Sequence, residues 1–175
     1  FTSDNGGLGV SDKLGHDASG GFRSNKGSIH EGGHRVPMII RWPKGGVPQG
    51  ATYADLTGIQ DLYRTLADIA GVDVPDGQAL DSISFKKQLL GQSTGPHRIH
   101  QMTQTTGDNG DLAWRENEWK LIMEIDGRPR ELYNLTGDPF EQNNLIAHPD
   151  QRERIGRMHK DFLALNPKGL IRKKK

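Results

Sequence analysis

The sequence predicts a mixed α/β chain, and three stretches carry that expectation. "DLTGIQDLYRTLADIAGV" (55–72) spaces its apolar residues as one face of a helix. "WKLIMEIDGRPRELYNL" (119–135) alternates as half-buried strands do and reverses at Asp126-Gly127, a two-residue hairpin signal. Residues 149–165 again show helical spacing. With 175 residues the chain can bury one core, although 33% apolar residues and 23 glycines make it a modest one with many turns.

Residues 1–36 are glycine-rich and irregular, with eight apolar residues scattered among Gly, Ser, Asp and Asn. That is loop chemistry, and loops of this length are usually functional or disordered. The opening "FTSDNGG" reads as the end of a strand running into a loop, so a C-terminal piece of a longer protein is expected. "VPMIIRWP" (Val36–Pro43) is a short apolar run closed by proline at both ends, and it predicts a buried strand. In the helix that follows, Ile59, Leu62, Tyr63, Leu66, Ile69 and Ala70 share a face; Thr57 and Gln60 form a capping box, and Gly71 ends it. Residues 72–110 read as loop with a short helix around Phe85–Leu90. In the meander Trp119, Leu121, Met123 and Ile125 alternate, and "GDPFEQNNL" is a polar turn. Pro149 opens the final helix, Ile155, Met158, Phe162 and Leu163 form its apolar face, and Asn166-Pro167 ends it before a basic, frayed tail.

Composition excludes several functions. A net charge of +1 gives no global field for nucleic acid, and the Arg172–Lys175 run lacks interleaved aromatics. No stretch approaches the roughly 20 apolar residues of a membrane helix. There is no cysteine, hence no disulfide and no thiolate metal site.

His30-Glu31-Gly32-Gly33-His34 matches the H-E-x-x-H pattern of zinc peptidases. That chemistry needs both histidines one turn apart on a helix. Here the two central residues are glycines, each costing about 1 kcal/mol in a helix interior. Val36-Pro37 forbids continuation almost at once. The pentapeptide is read as two loop histidines beside a Gly-Gly turn.

The whole chain instead resembles the second half of a type I sulfatase of the alkaline-phosphatase superfamily. The residues that carry the resemblance are "FTSDNGG", "SNKGSIHEGGHRVPMIIRWPKG", the helix "DLTGIQDLYRTLADIAGV", and "WKLI" followed by "ELYNLTGDPFEQNNL". Those motifs come in the family's order and cover nearly all of the chain. The resemblance implies the C-terminal part of an alkaline-phosphatase-like α/β fold, with a small antiparallel sheet and a closing helix. Residues 1–95 would complete the catalytic α/β domain and 96–175 form a C-terminal subdomain.

The residues alone leave Asp4-Asn5 open between a metal-binding pair and an ordinary turn after a strand. The resemblance implies that Asp4 and Asn5 complete a Ca²⁺ site, with Mg²⁺ as the other hard cation their oxygens suit. It implies that Lys26 binds the sulfate and offsets charge in the transition state. Glu31 and Arg35 are expected to order the loop through paired charges, and Gly32-Gly33 to permit its turn. His30, His34, His100 and Arg115 are candidates for the substrate rim; His97, Arg98 and His100 are otherwise expected to be surface loop residues, and Trp114 to face either a sugar or the closing helix.

The family's nucleophile, a formylglycine made in a C/S-x-P-x-R motif, is not in this sequence. It is expected upstream of residue 1, with further metal-binding aspartates, so the chain alone is expected to be inactive. The partners implied are a sulfated small molecule or carbohydrate and the missing N-terminal portion of the same protein. Export to periplasm, exterior or lysosome is the location implied. A phosphoester or phosphonate hydrolase of the same superfamily, or a non-catalytic remnant, are the alternatives.

Overall fold

The computed structural model describes residues 1–105 and 110–165, with backbone alone at 11 and 12. Asn166-Pro167 and the basic tail lie outside the described residues. The elements are α1 (Gly9–Asp12), α2 (Glu31–His34), α3 (Asp61–Ala70), α4 (Lys86–Leu89), β1 (His100–Gln104), β2 (Leu112–Glu116), β3 (Trp119–Met123), β4 (Pro129–Asn134) and α5 (Arg152–Leu165). The four strands form one sheet in the order β1-β2-β3-β4. Among the described residues no helix is long and apolar enough to cross a membrane.

The chain forms two compact units: Phe1 with residues 38–101, and residues 2–37 with 102–175. The glycine-rich loop and strands β2, β3 and β4 fall in one unit.

In that second unit β2, β3 and β4 make the antiparallel meander, with Leu121 opposite Trp114 on one side and Leu132 on the other. Gly127 supplies the left-handed turn (φ 85°) between β3 and β4. α5 closes one face: Met158 and Phe162 pack with Leu112, Trp114, Leu121, Met123 and Leu132. Trp114 meets Phe162 edge-on at 6.2 Å, so this tryptophan belongs to the core beside the closing helix. Leu163, expected on the buried face, is instead 45% exposed, because Met158 and Phe162 already fill the contact with the sheet.

The opposite face of β3 is buried as well. Ile122 joins Ile29, Ala113, Tyr133 and Leu135 in a second cluster, and Lys120 is buried beside it. The strand is therefore not one-sided: residues 2–37 cover the face that the alternation left for solvent.

The first unit is organised differently. α3 forms where expected and ends at Gly71 in the left-handed conformation (φ 68°). The expected capping box is absent; the Asp61 carboxylate reaches back to the Gly58 N–H at 3.0 Å instead. The buried residues of α3 are Asp61 and Thr65, whereas Ile59, Tyr63 and Leu66 are exposed. Asp61 also accepts from the Ile83 N–H (2.9 Å), His97 Nε2 (3.0 Å) and Arg98 Nε (2.9 Å). Arg98 and the His97 side chain are thus buried structural partners, not surface loop residues. Burial alone would push the Asp61 carboxyl up, but the Arg98 guanidinium and these N–H donors hold it below its usual value.

The run 36–43 is extended but is no strand, and Ile39 (62%) and Trp42 (39%) are exposed. A strand needs a ladder of backbone partners. Ile39 exchanges a pair of bonds with Phe1 (2.7 and 2.8 Å), and the pairing goes no further.

The packing of α5 yields a paired prediction. Phe162→Ala should lower the unfolding free energy by about 3–5 kcal/mol, whereas Leu163→Ala should stay within about 0.5 kcal/mol. Urea denaturation of the two variants checks this.

Candidate functional site

The loop 2–37 gets its shape from backbone contacts that only glycine permits. The Gly6 N–H donates to the Gly33 carbonyl at 2.9 Å, the Gly32 N–H to the Arg23 carbonyl at 3.0 Å, and the Lys26 N–H to the Gly7 carbonyl at 2.8 Å. A Cβ on Gly32 would lie 2.0 Å from the Ser24 carbonyl oxygen, and one on Gly33 would lie 2.1 Å from that of Ser28. Gly32 and Gly33 are helical in α2 and have no positive φ. They are glycines because three chain segments meet there, rather than because the turn needs their flexibility. Lys26 rides on a tight turn flanked by Ser24 (φ 65°) and Gly27 (φ 90°), both left-handed.

Glu31 anchors this junction from below. Its carboxylate is fully buried and accepts from Lys120 Nζ at 2.8 Å, with Arg35 at 3.4 Å and Arg115 at 3.7 Å. Lys120 also lies 2.8 Å from Glu141 Oε1, a close charge contact, while Glu141 Oε2 accepts the Glu31 N–H at 2.6 Å. Burial pushes the Glu31 carboxyl up, yet Lys120, and after it Arg115, more than offset it and keep Glu31 ionised. Burial, then the Lys120 charge, pushes His34 down and keeps its imidazole neutral.

A second network lies beside it. His30 Nε2 donates to Glu131 at 3.0 Å, and the Tyr133 hydroxyl donates to the same oxygen at 2.6 Å. Arg23 Nη1 donates to the Tyr133 hydroxyl at 2.7 Å and to the Glu141 carbonyl at 3.2 Å. An open cleft of about 760 Å³ borders these residues. Its arginines are already engaged: Arg130 grips both oxygens of Asp111 at 2.8 and 2.9 Å, and Arg23 the Tyr133–Glu131 pair.

The histidines of the H-E-x-x-H match do not converge. α2 is a single helical turn; His30 turns to Glu131, and His34 Nε2 lies 3.0 Å from the Ile29 carbonyl. Glu31 is occupied by Lys120 and is closed to water. Arg115, a rim candidate, faces Glu31 and donates to the Asn117 carbonyl at 3.0 Å. His100 opens β1, away in sequence and on the other compact unit. Asp4 and Lys26 are exposed, Asn5 is half-buried, and neither the Asp4 carboxylate nor the Lys26 ammonium meets a partner among the described residues.

Lys120, Glu131 and Glu141 were not singled out by the sequence. One signal was present for Lys120: β3 reads Trp-Lys-Leu-Ile-Met, apolar at both parities, as in a strand buried on both faces. A lysine in such a strand must find a carboxylate.

The family model for N-sulphoglucosamine sulphohydrolase, C-terminal, matches residues 21–168. The chain belongs to this sulfatase family. The N-acetylgalactosamine-6-O-sulfatase of Bacteroides thetaiotaomicron is 32% identical over 176 residues, covering 86% of this chain and 33% of its own length. The steryl-sulfatase of Mus musculus is 35% identical over 186 residues, covering 88% of this chain and 30% of its own. The crystal structure of Ps i-CgsB in complex with k-i-k-neocarrahexaose superposes with a TM-score of 0.77 at 29% identity, over 94% of this chain and 35% of that one. The chain thus spans about a third of the length of these relatives.

The Glu131 network makes folding acid-sensitive in a defined window. The His30 bond, against the opposing effect of burial, and then the Tyr133 hydroxyl hold Glu131 down at about 2, from 4.5. The folded state therefore keeps Glu131 ionised where the unfolded chain protonates it. Its contribution is complete above pH 4.5 and is lost as pH falls through about 2. Glu131→Gln should flatten the acid limb of stability in that window; urea midpoints at stepped pH check it, and an acid limb identical to wild type would contradict the assignment.

Proposed function

We propose that this chain is the C-terminal part of a sulfatase that hydrolyses a sulfate ester on a carbohydrate, and that Asp4, Asn5 and Lys26 are its contribution to the active site. The observation that carries the reading is the pairing of two segments. The Asp4-Asn5 segment and the Lys26 turn are tied side by side by the Gly6–Gly33 and Lys26–Gly7 bonds, and the Asp4 and Lys26 side chains are left without partners among the described residues. A carboxylate and an ammonium on tied segments, neither engaged in the loop's own bonding, are groups that sulfate chemistry can use.

The donor set fits calcium or magnesium: the Asp4 carboxylate and the Asn5 amide oxygen are hard oxygen ligands, and the segment offers no soft one. Bound there, the metal supplies Lewis-acid polarisation of the sulfate. Asp4 contributes the charge of the pair and Asn5 a neutral oxygen whose backbone is fixed by the bond from Ser3 Oγ at 2.9 Å. Lys26 holds a sulfate oxygen and offsets the negative charge that gathers on it as the ester bond breaks. On this reading the formylglycine nucleophile and the remaining metal ligands come from the part of the whole protein outside this chain, which spans 33% of the N-acetylgalactosamine-6-O-sulfatase relative. A sulfated sugar as substrate draws support from the N-acetylgalactosamine-6-O-sulfatase relative. His30, His34, His100 and Arg115 are retained as rim candidates only, the first two because the flank of the Lys26 turn is theirs. Export to periplasm, exterior or lysosome goes with the same reading.

In the sulfatase that carries this chain, Lys26→Ala should lower kcat/KM for N-acetylgalactosamine 6-sulfate by about 10²–10³-fold, as loss of one preorganised donor does. Release of sulfate by the variant and wild type is the measurement. Undiminished turnover in Lys26→Ala would remove Lys26 from the site.

A further inference from the structure

The ionic cluster under the loop has two features that cost stability and that packing does not require. Lys120 is 1% exposed in the middle of β3, between two glutamates that are themselves buried. Taking such charges out of water is expensive, and apolar residues of similar volume often do as well. Glu141 also sits in the left-handed region (φ 56°), which a long side chain adopts only under constraint. Glycine would be relaxed at that position but would bring no carboxylate.

What these groups hold is specific. Glu141 grips the first N–H of α2, and Lys120 grips the carboxylate of the same residue, Glu31. The next two residues of that turn bond the functional segments: Gly32 to Arg23, three residues before Lys26, and Gly33 to Gly6, which follows Asn5. The small separations at Gly32 and Gly33 leave no slack, since any shift of α2 drives backbone into backbone. A displacement at Lys120 therefore reaches both segments at once.

We propose that Lys120 and Glu141 are positioning residues that set the register of the Lys26 turn against the Asp4-Asn5 segment. The inference rests on the sulfatase reading above. Neither residue touches the reacting atoms; each acts through α2. Conformational specificity, more than stability, is then the reason the buried charges are kept.

The test uses the full-length sulfatase that carries this chain, with calcium as the probe. The double variant Lys120→Met/Glu141→Gln removes one charge of each sign and leaves Glu31 with Arg35 and Arg115. It should stay folded by circular dichroism at the assay temperature. Its kcat should fall and its calcium Kd, measured by isothermal titration calorimetry, should weaken, each by about 10- to 100-fold as for other residues that orient ligands. A merely structural role would lower the melting temperature and leave both constants unchanged below it. A folded double variant with wild-type kcat and calcium Kd would overturn the proposal. Should the double variant not fold, Glu141→Ala alone decides on the same two readouts, because it removes the acceptor of the Glu31 N–H and leaves the Lys120–Glu31 pair in place. Lys26→Ala run in parallel keeps the two questions apart: full activity there removes the sulfatase assignment of the loop, whereas loss there with an unaffected, folded Glu141→Ala removes only the positioning role.

Discussion

The contact between Lys120 on β3 and Glu31 in the glycine-rich loop is the constraint on which this unit depends. It joins residues 89 positions apart and brings a loop of low apolar content onto the second face of the sheet. Only Ile29 of that loop enters the apolar cluster as a large side chain, so hydrophobic burial alone offers it little adhesion. Charge contacts and backbone bonds supply the rest: Glu141 to the start of α2, Arg23 to Tyr133, His30 to Glu131. Each has one partner in the loop and one in the sheet or the turn after it.

The two compact units solve the same problem with different polar centres. In one, Glu31 and Lys120 are buried beside the apolar cluster of Ile29, Ala113, Ile122, Tyr133 and Leu135 on the sheet. In the other, Asp61 gathers Arg98, His97 and two backbone N–H groups, and Phe85 is the sole large hydrophobic buried among its described residues. Removing either carboxylate would strand buried cations, which is costlier than losing the bond itself. That difference explains why α3 can leave Ile59, Tyr63 and Leu66 exposed and still be held in place: its buried contacts are polar.

What was legible in the sequence follows the range of the interaction. α3, α5 and the β2–β4 meander were legible because periodicity is local, and so were the hairpin at Asp126-Gly127 and the stop at Gly71. The run 36–43 misled because apolar composition specifies burial only if a partner strand is at hand, and here the pairing is limited to Phe1. Gly32-Gly33 was noticed, but as a flexible turn; that two carbonyls crowd these residues depends on chain crossings no local pattern encodes. Asp4, Asn5 and Lys26 are proposed from motif resemblance, not from any local pattern. The residues beneath them escaped because Lys120, Glu131 and Glu141 look like ordinary surface charges until the loop covers their face of the sheet.

Native-state hydrogen exchange is the most direct measure of whether loop and sheet are one cooperative structure. The amides of Gly6, Lys26 and Gly32, each bonded between segments of the loop, should exchange with opening free energies matching those of Leu121 and Ile122 in β3. Fast exchange at those three amides beside a protected β3 would show a loop that merely rests on the sheet, and would contradict the account.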